Sequence, residues 1–163
     1  MDLVHESTTP EAALRPFPVR HLLDSIGVGR SFPNGIRDVS TGTNDLISAR
    51  HPSLPSASPN GASIIYAHAI SADGERIAFS SEADNLIESD TNAFRDVFVR
   101  DLLSGTNILV SAGTNGLPAD NLSFEPALSA DGRYVAFTSS ADNLVPNDAN
   151  RSSDVFVRDL VTG

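Results

Sequence analysis

The chain repeats itself, and that repetition constrains its fold more than any other feature. Residues 69–105 and 127–163 align without a gap at an offset of 58, with 22 of 37 positions identical. Ser71-Ala72-Asp73-Gly74 returns as Ser129-Ala130-Asp131-Gly132, and Asp96-Val97-Phe98-Val99-Arg100-Asp101 returns as Asp154-Val155-Phe156-Val157-Arg158-Asp159. Upstream, Arg37-Asp38-Val39-Ser40-Thr41-Gly42 matches the later Arg100-Asp101-Leu102-Leu103-Ser104-Gly105 and opens a third, partial copy. Self-similarity at a fixed period marks an array whose units bury their apolar faces against neighbours. The expected organisation is the end of one unit at 37–48, a full unit at 62–111 and a partial unit at 120–163. A partial array leaves its terminal units uncovered, so the expectation is a fragment of a longer protein or a chain that self-associates through open edges.

Each unit carries four strand signals. In the full unit they lie at residues 67–71, 76–80, 97–100 and 107–111, and the same order recurs around Asp131-Gly132, 134–137 and 155–158. Asp-Gly favours a tight hairpin because glycine takes positive φ without steric cost. The apolar residues within each strand are consecutive (Ile77-Ala78-Phe79, Val97-Phe98-Val99), which predicts sheets covered on both faces. The connections carry no helical period, so neighbouring sheets must supply the cover. The expected fold class is all-β, a β-propeller-like array of four-stranded antiparallel blades, here an incomplete propeller. Residues 1–36 show no repeat and are expected to be irregular or partly helical, with short helices near Thr9-Pro10-Glu11 and over 19–26. The Ser- and Pro-rich stretch 49–61 reads as a loop between units.

Ser129 to Phe137 (S-A-D-G-R-Y-V-A-F), followed by Asp154 to Gly163 (D-V-F-V-R-D-L-V-T-G), resembles the WD40-like β-propeller repeat of TolB-type proteins. The resemblance covers about residues 37–163. It implies a propeller of several blades, usually in bacterial periplasmic or secreted proteins that bind other proteins. The units here are longer than the ~40–50 residues of ordinary blades, because a polar insert separates the second and third strands.

Composition narrows the partners. The formal net charge is −10, and no basic run offsets it, which argues against nucleic acid and favours cations or basic protein surfaces. No stretch approaches the ~20 apolar residues of a membrane span, and no secretory signal is visible at the N-terminus. The absence of cysteine excludes disulfides and thiol catalysis.

The polar insert holds the one constellation that suggests chemistry. Asp90, Asn92 and Asp96 recur as Asp148, Asn150 and Asp154, oxygen-bearing side chains at the first, third and seventh places of a loop. That spacing suits calcium, although the glycine and the glutamate of an EF-hand are missing. The competing reading is that these residues close turns onto the backbone and need no metal. His5, His21, His51 and His68 do not recur, and no nucleophile elbow, zincin or phosphate-loop motif occurs. The functional expectation is a non-enzymatic binding or scaffold module for protein or other macromolecular partners, calcium-stabilised where the loop residues hold that ion. The alternative is the propeller portion of a larger enzyme, such as a serine peptidase.

Overall fold

The computed structural model describes residues 35–37, 44–54 and 58–163. These residues form an all-β structure of nine strands in three antiparallel sheets, with no helix among them. Strands β1 (Gly35–Arg37) and β2 (Asn44–Leu46) pair as a hairpin. Strands β3 (Ser63–Ile64), β4 (Arg76–Ser81), β5 (Asp96–Asp101) and β6 (Thr106–Leu109) form a four-stranded sheet in chain order. Strands β7 (Ser123–Leu128), β8 (Tyr134–Ser139) and β9 (Asp154–Asp159) form a three-stranded sheet.

The registers follow the sequence repeat. Arg76 pairs with Asp101 and Ser81 with Asp96; 58 residues on, Tyr134 pairs with Asp159 and Ser139 with Asp154. The upstream hairpin pairs Arg37 with Asn44, as β5 and β6 pair Arg100 with Asn107. Strand β1 therefore reaches back across the boundary expected after residue 36, while the helices expected nearer the N-terminus lie outside the described residues. After the third strand of each unit the chain turns through a glycine at positive φ, 68° at Gly105 and 94° at Gly163.

The first strand differs from expectation. Instead of one strand at 67–71, Ser63–Ile64 pairs with Ser80–Ser81, and after an excursion Ile70 bridges Ile77. Between those two contacts this unit carries two more residues than the next, where β7 stays continuous through a bulge between Phe124 and Ala127. The extra residues cannot join the ladder, so they loop out, with His68 at φ 59°.

Two apolar clusters fill the spaces between sheets. On one face of the four-stranded sheet, Ile77, Phe79 and Phe98 pack with Ile47, which follows β2, and with Ala83 and Leu86. On its other face, Ala78, Val97, Val99 and Val110 meet Leu128, Val135 and Phe137 of the three-stranded sheet. This sheet is covered on both sides, as the consecutive apolar residues require. The three-stranded sheet departs from that expectation. Its β9 alternates in burial, leaving Val155 76% and Val157 67% exposed, because no described element packs on its outer face.

Backbone bonds join the two sheets at several places. Ser123 N–H donates to the Arg95 carbonyl at 2.7 Å, Leu128 N–H to His68 at 2.8 Å, and Ala72 N–H to Ala130 at 2.8 Å. The Arg76 guanidinium reaches the Gly132 carbonyl at 2.8 Å. The sheets are thereby stacked in the same sense, with corresponding ends together.

Candidate functional site at the loop end of the sheets

Antiparallel order sorts the connections to two ends. The tight turns after Ser71, Asp101, Ser129 and Asp159 lie at one end. The segments 58–62, 82–95, 111–122 and 140–153 gather at the other, because β4, β6 and β8 all run toward it.

The short end is built from one repeated device. The hydroxyl of Ser71 donates to Asp73 and accepts from the Arg76 N–H at 3.0 Å, while Asp73 accepts from the Glu75 N–H at 3.0 Å. Ser129, Asp131, Arg133 and Tyr134 repeat the pattern. These bonds hold Asp73 and Asp131 below the ordinary carboxylate range, the serine hydroxyl contributing most. Both aspartates thus serve their own hairpins, each through Oδ1.

The long loops hold the recurring Asp-Asn-Asp sets. In the first, Asn92 Oδ1 accepts the Phe94 N–H at 2.8 Å, and Asn92 Nδ2 donates to Asp96 at 2.8 Å and to the Ala119 carbonyl at 2.7 Å. Asn150 accepts from the Ser152 N–H and donates to Asp154, each at 2.8 Å. Between them, Ala93 and Arg151 both adopt left-handed backbone, φ 58° and 56°. Each asparagine therefore turns a donor toward the following aspartate, and a cation held there requires that amide to turn over. Among the described residues, no group of three or more His, Cys, Asp or Glu side chains is placed to hold a metal.

The two sets differ in environment. Asp96 is fully buried and accepts the Ser111 hydroxyl at 2.6 Å; that same hydroxyl accepts the Val97 N–H at 2.9 Å. Burial pushes the Asp96 carboxyl up to about 7, against the pull of the Ser111 and Asn92 bonds and with a further push from Asp90. Asp90 is buried too, its Oδ1 has no hydrogen-bond partner, and burial raises it to about 6. Asp148 and Asp154 are half-buried and Asn150 is exposed. The structure thus brings Asp90, Asn92 and Asp96 together in a buried polar knot, while Asp154 and Asn150 meet nearer the surface.

The triplets Asp84-Asn85-Leu86 and Asp142-Asn143-Leu144, which read in the sequence as turn makers with leucine packed inward, organise this end. The Asn85 amide accepts the Asn60 N–H at 3.1 Å and donates to the Ser58 carbonyl at 2.9 Å. Asn143 does the same for Asp120 and Pro118, at 3.1 and 3.0 Å. Leu86 and Leu144, next in sequence, are buried beneath them. Paired hydroxyls close the strand ends, Ser63 with Ser81 at 2.8 Å and Ser123 with Ser139 at 2.9 Å. The recurrence of Asn85, Ser81 and their counterparts at the 58-residue offset was the available signal. Ser111 gave none, because its partner Asp96 lies 15 residues away.

His5 and His21 lie outside the described residues. His51 bonds Ser53 at 2.7 Å, and His68 is exposed on the excursion after β3, so the two described histidines do not share a site. The outer surface of the loop end carries Glu82, Asp84, Glu88, Asp120, Asp142 and Asp148 against Arg95 and Arg151, with Phe94, Leu117, Leu122 and Val145 exposed among them. Such a surface suits a partner that brings both positive charge and apolar contacts. No known family model and no curated protein matches the chain.

Proposed function

We propose that this chain is a stretch of a β-propeller of the TolB and WD40-like kind, a non-enzymatic module that binds a basic protein partner through its loop end. The observation that carries the architecture is the stacking. Sheets whose second and third strands share one register lie face to face in the same sense, with Val97 and Val99 of one against Val135 and Phe137 of the next. Stacking of this sense, if continued from unit to unit, closes around an axis as a propeller. Binding through loops displayed on rigid sheets is the common use of such a scaffold. The acidic, partly apolar loop end supplies the complementary chemistry, and the partner is a protein surface rich in Lys or Arg with apolar residues between them.

The test is nuclear magnetic resonance of the labelled chain titrated with a short peptide alternating lysine and leucine. Amides near Phe94, Leu117, Leu122 and Asp148 should shift, and the shifts should weaken as salt screens the carboxylates. Shifts confined to the turns at 71–76 and 129–134, or no shifts at all, would overturn the reading.

A further inference from the structure

The same side chains occupy the same register in two sheets and have opposite environments. Ala78, Val97 and Val99 are fully buried; 58 residues on, Ala136 is half-buried and Val155 and Val157 are 76% and 67% exposed. Cross-strand pairing places Ala78 opposite Val99 and Ser80 opposite Val97, as it places Ala136 opposite Val157 and Thr138 opposite Val155. The two corresponding faces therefore have the same layout of small and β-branched residues. In the four-stranded sheet that face takes Leu128, Val135 and Phe137 of its neighbour, a set made larger by the leucine and the phenylalanine. Faces of small residues pack best against faces of large ones, since interiors fill to crystal-like density.

We infer that the outer face of β7, β8 and β9, centred on Ala136, Val155 and Val157, docks another copy of this 58-residue unit, which presents a face like that of Leu128, Val135 and Phe137. The occupant is read from the molecule itself: the interface already present between its two larger sheets, advanced by one unit. Two exposed valine faces pressed together would set small residues against small ones and leave the space unfilled. The inference rests on the stacked-sheet half of the proposed function and is independent of what the loops bind.

The absence of cysteine allows a direct test. Val157→Cys is made in the natural chain and in a chain with residues 106–163 appended after Gly163, where Gly105 and Gly163 hold equivalent places. Val99→Cys in the natural chain sets the protected reference. The thiol at position 157 should react with a soluble disulfide reagent rapidly in the natural chain. In the extended chain it should react at least about 100-fold more slowly, approaching the reference, because labelling then waits on local opening. Equal rates in the two chains, whether or not the added unit folds, would overturn the proposal. So would protection in the natural chain that grows with protein concentration, since the face would then be pairing with its own kind. No loop residue is altered, so either failure leaves the peptide titration to stand or fall by itself.

Discussion

Asp96 and Asp90 meet under the loop end with no compensating cation among the described side chains around them, and the molecule keeps them at the cost of burying charge. Their carboxyls are raised to about 7 and about 6, above the ordinary value, so the folded state holds protons that the unfolded chain has released. Stability from these two groups is fully present below about pH 4 and is lost as pH rises through the folded values, at up to about 1.4 kcal/mol per pH unit per group. Asp73 and Asp101 are shifted down and act in the opposite direction, but only in more acidic solution. The melting temperature should therefore rise as pH falls from about 8 to about 5.5, and Asp96→Asn should flatten that rise. A flat profile in the unaltered chain would show that water reaches both carboxyls. The two asparagines give a second comparison. Asn92→Ala strips a bond from buried Asp96 and should cost about 1–3 kcal/mol in a denaturant melt, while Asn150→Ala, at an exposed site, should cost under about 1 kcal/mol.

The strands show how far patterns in the chain carry. Val97-Phe98-Val99 and Ile77-Ala78-Phe79 were legible because unbroken apolar runs need cover on both faces, and the four-stranded sheet supplies it. The same run at Val155-Phe156-Val157 reads identically and yet lies half open. Cover is a property of the neighbour, which the run itself does not encode. The first strand was misplaced because the two surplus residues before Ile70 change nothing in local composition. The loop site was legible as a set of residues but not as an orientation. The Asn92 amide is turned by the Ala119 carbonyl, 27 residues away, a partner that only the fold identifies. Two comparisons check this element by element. Val99→Ala should cost about 2 kcal/mol, whereas Val157→Ala should change stability by less than about 0.5 kcal/mol. A Cβ at Gly61 would clash with the backbone of Glu82 and Ala83, so Gly61→Ala should cost at least about 1–3 kcal/mol. At Gly116, φ is 76° with nothing within 4 Å, so the same change there should cost only about 1 kcal/mol of backbone strain.

At the scale of the whole molecule, the sheets are coupled through Ser123, Leu128, Ala72 and Arg76, whose bonds all cross from one sheet to the next. Nearest-neighbour coupling of this kind makes the interior sheet the most protected and the outermost the first to open. Amide exchange should be slowest in β4 and β5 and faster in β9, although β5 and β9 share the sequence Asp-Val-Phe-Val-Arg-Asp. Equal exchange in β5 and β9 would mean that the sheets open as one block. The glycine turns have a consequence for how such a chain changes length over generations. Gly105 and Gly163 close equivalent strands at equivalent places, so a genetic exchange that misaligns the two copies adds or removes a whole unit. The joined segments would meet with pleats in phase and apolar faces already matched, and no interim ancestor need pass through a mispacked core.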